Sequence, residues 1–105
     1  MNRAKLLGAL GLARRAGKLL LGEDQVLDAL KKDAVVLVFL AGDAGPNTTK
    51  RMTDKTSSHH VALLTALSGA EMASATGRKV LKVAAVTDRG FAVLIQTALD
   101  APEQP

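Results

Sequence analysis

The segment Val35-Val36-Leu37-Val38-Phe39-Leu40-Ala41 is an unbroken apolar run rich in β-branched residues, and no other feature limits the fold as much. Successive side chains of a strand point to opposite faces, so a strand that is apolar at every position must be covered on both sides. A chain of 105 residues supports one core of ordinary size. The central strand and its two covering layers therefore belong to a single domain, expected over residues 1–100, with 101–105 as a short tail. The run is also far short of the roughly 18 apolar residues that a membrane-spanning helix needs, and no membrane partner is expected.

Helices and strands are predicted to alternate on either side of that run. Leu6, Leu7, Leu10 and Ala13 keep helical spacing, and Gly17 suits a C-terminal cap, which predicts a helix over 3–16. A short strand follows over 18–21. Gly22 then turns the chain into a second helix ending near Lys32, with Glu23 and Asp24 at its dipole-positive start and Val26, Leu27 and Leu30 as its buried stripe. Gly42 to Asn47 reads as a loop, and 46–56 as an exposed helix with proline in its first turn. Val61 to Leu64 gives a third strand. Ser68 and Glu71 form an S-x-x-E capping box for a fourth helix that Gly77 stops. A fourth strand over 81–86 leads through Thr87 or Asp88, either one a helix cap, to a last helix with Phe91, Leu94, Ile95, Ala98 and Leu99 inward. The expected fold is α/β: a three-layer α/β/α sandwich with about four strands in a mixed sheet and helices on both faces.

Charge is unevenly spread along the chain, whose net value is +4. The first 22 residues hold Arg3, Lys5, Arg14, Arg15 and Lys18 with no acid, whereas Glu23, Asp24, Asp28 and Asp33 crowd the next stretch around Lys31 and Lys32. Arg78, Lys79 and Lys82 form a second basic cluster, a pattern that suits two segments clamping one phosphate backbone and, on charge alone, equally suits a plain solvated surface. The absence of cysteine removes disulfides, thiolate nucleophiles and cysteine zinc sites, and fits a reducing cytoplasmic setting.

Enzymatic and cofactor chemistry finds no constellation. His59 and His60 are adjacent, so on a strand they point to opposite faces and cannot share a metal. Asp54, Ser57 and His59 have the residue types of a hydrolytic triad but lack a glycine-flanked nucleophile elbow. The glycines at 8, 11, 17 and 22 fit no dinucleotide or phosphate loop. Gly42-Asp43-Ala44-Gly45, after the strongest strand, is the remaining small-molecule candidate, and a plain turn explains it better. No catalytic residue, metal or cofactor is expected. With two phenylalanines, both in core-facing segments, and neither Tyr nor Trp, the chain also lacks stacking platforms for single-stranded bases. Shape and backbone recognition remain, by basic groups and by helix N-terminal amides such as those at 22–25.

Leu12-Ala13-Arg14-Arg15-Ala16-Gly17-Lys18-Leu19, then a strand, Gly22, and a helix with Val26 and Ala29-Leu30, resembles the kink-turn-binding ribosomal protein superfamily, and within it the small bacterial YlxQ-like branch. Ala41-Gly42-Asp43-Ala44 with Asn47-Thr48, then Gly77, then Val83 to Asp88 also fall where that superfamily has its loop, helix end and last strand. The resemblance implies a non-catalytic protein that binds sharply bent RNA, with ribosomal RNA or the ribosome as partner. In the family a helix opening Gly-x-Asn-Glu-x-x-Lys enters the bent groove, and a loop before the last strand covers an extruded base. Gly22 matches, Asp24 replaces Asn, Gln25 replaces Glu, and Asp28 stands where Lys is expected. Lys18 fits the basic residue before the motif. Gly77, Arg78, Lys79 and Val80 occupy the covering loop. The expected RNA-binding surface is thus Lys18, Gly22, Asp24, Gln25, Lys32, Arg78, Lys79 and Val80, with Lys32 or Arg78 and Lys79 offsetting Asp28. The acidic replacements at 24 and 28 also suit a second reading, a protein-interaction module on the same fold that no longer recognises RNA.

Overall fold

The structure, a computed structural model, describes residues 1–103. The chain runs α1 (Arg3–Arg15), β1 (Leu19–Leu21), α2 (Glu23–Lys31), β2 (Leu37–Leu40), α3 (Pro46–Ser58), β3 (Ala62–Leu64), α4 (Gly69–Thr76), β4 (Val83–Val86) and α5 (Arg89–Asp100). The strands form one sheet in the order β1-β4-β2-β3. β2 lies inside it, parallel to β3 and antiparallel to β4, and all four of its residues are buried. Its alternating side chains feed two cores. Phe39 joins Leu6 and Leu10 of α1, Met72 of α4 and Ile95 of α5, while Val38 and Leu40 join Val26 and Leu30 of α2 and Met52 of α3. This is the three-layer α/β/α sandwich with a mixed four-stranded sheet that the sequence predicts.

The local signals act as read, with adjustments. Asn2 caps α1, Ser68 and Glu71 form the capping box of α4, and Asp88 rather than Thr87 caps α5 by accepting from the Phe91 amide. Ala16 is the α1 cap, and Gly17 follows it at φ +72°. α3 continues to Ser58, in α2 Ala29 is buried where Leu27 is only half-buried, and in α5 Leu94, expected inward, is exposed. His59 and His60 are not on a strand. His59 caps α3 and His60 takes φ +57° before β3 begins, because α3 runs two residues further than its polar sequence suggests. Of the expected tail, residues 101–103 are described, and 104 and 105 lie outside the described residues. Among the described residues no helix is long and apolar enough to cross a membrane.

Strand direction decides where the loops gather. β1, β2 and β3 run one way and β4 the other. The turn after β1, the loop after β2 and the loop before β4 therefore meet at one end of the sheet, where the Gly22 amide donates to the Val83 carbonyl (2.8 Å) and the Ala41 amide to the Lys82 carbonyl (2.8 Å). At the opposite end the Thr87 amide donates to the Lys18 carbonyl (3.0 Å) and the Val36 amide to the Val86 carbonyl (2.9 Å).

Candidate functional site

The Val83 end is built around Gly22. Its backbone, φ 98° and ψ 153°, lies in a region that is essentially glycine-only, and it turns β1 directly into α2. No side chain caps this helix start. The first-turn amides consequently carry the positive end of the helix dipole outward. Glu23 does not oppose them from solvent, because Thr48 (3.2 Å) and Arg51 of α3 both donate to its carboxylate. Asp24 and Gln25 are exposed. The Gln25 side-chain oxygen accepts from the Leu21 amide (3.4 Å), which leaves its NH₂ group to donate elsewhere.

The loop between α4 and β4 adjoins this turn. Gly77 ends α4 in the left-handed conformation, φ 74°, and the chain then leads through Arg78, Lys79 and Val80 to Val83, the partner of Gly22. Val80 precedes Val83 by three residues, so it lies within about 11 Å of it even along a fully extended chain. Arg78 and Lys79 are exposed and in no ion pair among the described residues, and Val80 keeps 69% of its surface in solvent. An apolar side chain that exposed on a loop contributes nothing to the core.

Asp43 fixes this corner. Its carboxylate accepts from the Gly69 amide at the start of α4 (2.8 Å) and from Lys82 Nζ (3.1 Å), joining three segments. The Gly69 hydrogen bond first, and Lys82 second, hold its carboxyl below the usual value. Glu71 is likewise held low, chiefly by the Ser68 amide against the opposing effect of burial, with Arg3 at 2.8 Å adding to the lowering. Asp43 thus serves the turn rather than a small-molecule pocket. Neither it nor the Glu23–Arg51 pair follows from local sequence, since their partners are 26 to 39 residues away.

Of the eight residues expected on one surface, Gly22, Asp24 and Gln25 share the start of α2, and Arg78, Lys79 and Val80 share the loop that leads to its partner strand. Lys18 and Lys32 do not join them. Lys18 meets Thr87 at the other end of β1, and Lys32 follows the C-terminus of α2, where it pairs with Asp28 at 3.1 Å. The expectation of a single rim is corrected for these two. An extended strand carries Lys18 roughly 13 Å from Gly22, at about 3.3 Å per residue.

A family model described as ribosomal protein L7Ae/L30e/S12e/Gadd45 matches residues 4–95. The chain belongs to the L7Ae/L30e/S12e/Gadd45 family. Within it, the chain is 40% identical over 91 residues to the RNA-binding protein YlxQ of Enterococcus faecium, covering 87% of each chain. It is also 40% identical over 91 residues to the RNA-binding protein YlxQ of Bacillus subtilis (strain 168), covering 87% of this chain and 91% of that one. These are the YlxQ-like members that the sequence resembles. A solved structure of a protein with unknown function from Bacillus halodurans C superposes with a TM-score of 0.87 at 37% identity, over 93% of this chain and 99% of that one. The Giardia lamblia 15.5kD RNA binding protein shares the L7Ae-type fold, with a TM-score of 0.78 at 15% identity over 91% and 82% of the two chains.

Proposed function

We propose that this chain is a non-catalytic cytoplasmic protein that binds structured RNA of the kink-turn kind, in or alongside the ribosome. The observation that carries the reading is the junction of the glycine turn at Gly22 with the 77–82 loop through the Gly22–Val83 hydrogen bond. It sets an uncapped helix N-terminus, suited to a phosphate, beside a loop with two cations in no ion pair among the described residues and an exposed apolar residue. Arg78 and Lys79 take backbone phosphates, Gln25 donates its amide to a purine edge, and Val80 lies against an unstacked base. Asp24 stands beside them, and Asp28 no longer repels phosphate with full strength because Lys32 is in contact with it. The YlxQ relatives, named as RNA-binding proteins, support the same partner.

Asp24, exposed and in no ion pair among the described residues, favours the second reading of a protein-interaction module. Titration of a synthetic kink-turn RNA separates the two. Arg78→Glu with Lys79→Glu is expected to weaken binding tenfold or more, on the order of 1.4 kcal/mol, and to flatten its salt dependence. Equal binding by the variant and the unaltered chain would reject the assigned surface.

A further inference from the structure

A groove of about 660 Å³ follows one side of α2 from Gln25, in the first turn, past Asp28 and Lys32 to Thr87 and Arg89. Gln25, Asp28 and Lys32 are three and four residues apart and so share one helix face. Leu20 of the edge strand β1 lines the groove beside them. Its upper end is the start of α2 described above, and its lower end is the Thr87 end of the sheet.

The lower end holds positive charge that nothing among the described residues pairs with. Arg89, which opens α5, lines the groove itself; α1 ends with Arg14 and Arg15, and Lys18 precedes β1, at the same end of the sheet and outside the groove lining. All four are exposed and in no ion pair among the described residues. Of the acids at that end, Asp28 pairs with Lys32 at 3.1 Å and Asp88 caps α5 at 3.1 Å from the Phe91 amide, while Asp33, in the groove lining, is largely exposed and 3.6 Å from His59. Arg89 stands at the first position of α5, where the helix dipole disfavours a cation. An external anion beside it would offset that cost.

We propose that this groove and its cationic end form a second contact for the phosphate backbone of the same RNA, taking the stem that leaves the bend held at Gly22. The inference rests on the RNA-binding reading and extends its footprint roughly 13 Å along β1 and α2. It assigns Lys18 and Lys32 a place distinct from the turn at Gly22. The contact is to backbone alone, because cations in an open groove beside an aliphatic edge strand carry no pattern that distinguishes bases.

The test uses the full chain and a synthetic kink-turn RNA in two versions, one with a flanking stem of a full helical turn and one with that stem cut to a few base pairs. The variant replaces Arg14, Arg15, Lys18 and Arg89 by alanine. On the long stem the slope of log affinity against log salt should fall by about 2 to 3, with tenfold or greater loss of affinity, while on the short stem variant and unaltered chain should bind within about twofold. The unaltered chain should itself prefer the long stem. Equal slopes on the long stem, with binding still sensitive to Arg78→Glu, would overturn the second contact and leave the proposed function standing. Failure of both RNAs to bind the unaltered chain would overturn both readings, and retention of the Thr87 end by an acidic protein instead would count against the proposal.

Discussion

At the scale of residues, Gly22 is the position where any other amino acid is strained. An added Cβ would meet nothing within 4 Å, so a larger side chain is not excluded by crowding. The obstacle is conformational: φ 98° with ψ 153° is strained for any L-residue with a Cβ. Gly22→Ala should therefore lower stability by about 1–3 kcal/mol, read from urea denaturation, without opening or filling a cavity. A change within experimental error would mean that the turn relaxes freely. The buried polar residues show the opposite economy. The Thr56 and Thr76 hydroxyls donate back to the Met52 and Met72 carbonyls at 2.7 and 2.8 Å, and no buried side-chain polar atom among the described residues lacks a partner. Satisfaction within the helix turn lets these threonines sit inside with no unpaired hydroxyl.

At the scale of elements, most of the fold is written in local signals. The apolar run at 35–41, the capping box at Ser68 and Glu71, and the glycines at 17 and 77 each act within a few residues, and each places a strand or a helix end. What they leave out is how elements are tied to each other. Asp43 links the loop after β2 to α4 and to the loop before β4, and Arg3 reaches from α1 to Glu71. Both carboxyls are held below their ordinary values, so the stability they contribute is complete above the unfolded-state value and is lost as pH falls through the folded-state value. Denaturation midpoints should accordingly hold from neutrality to about pH 5 and decline below about pH 4. Asp43→Asn combined with Glu71→Gln should make that decline shallower. An unchanged decline in the double variant would show that other acids control the acid limb.

At the scale of the whole molecule, the sequence reveals the chemistry of the site better than its shape. The glycine turn and the 77–82 loop are recognisable as segments, and their meeting follows once β1 is paired antiparallel to β4. The placement of Lys18 is not readable in the same way. Four residues from Gly22 would be one turn away on a helix, but on an extended strand they reach the far end of the sheet. The basic clusters at 14–18 and 78–82 therefore mark separate parts of the surface instead of one ring, and only the register Leu19↔Val86 to Leu21↔Ala84 reveals it. Arg89 escapes composition altogether, being a lone cation in the first turn of α5. The central claim, that RNA lies against the start of α2 and the loop before β4, is tested most directly by photocrosslinking the protein to cellular RNA and mapping the attached peptides. Attachments within 22–25 and 77–82, abolished by ribonuclease treatment before irradiation, are the expected result; attachments confined to the outer faces of α3 and α5, or none at all, would contradict it.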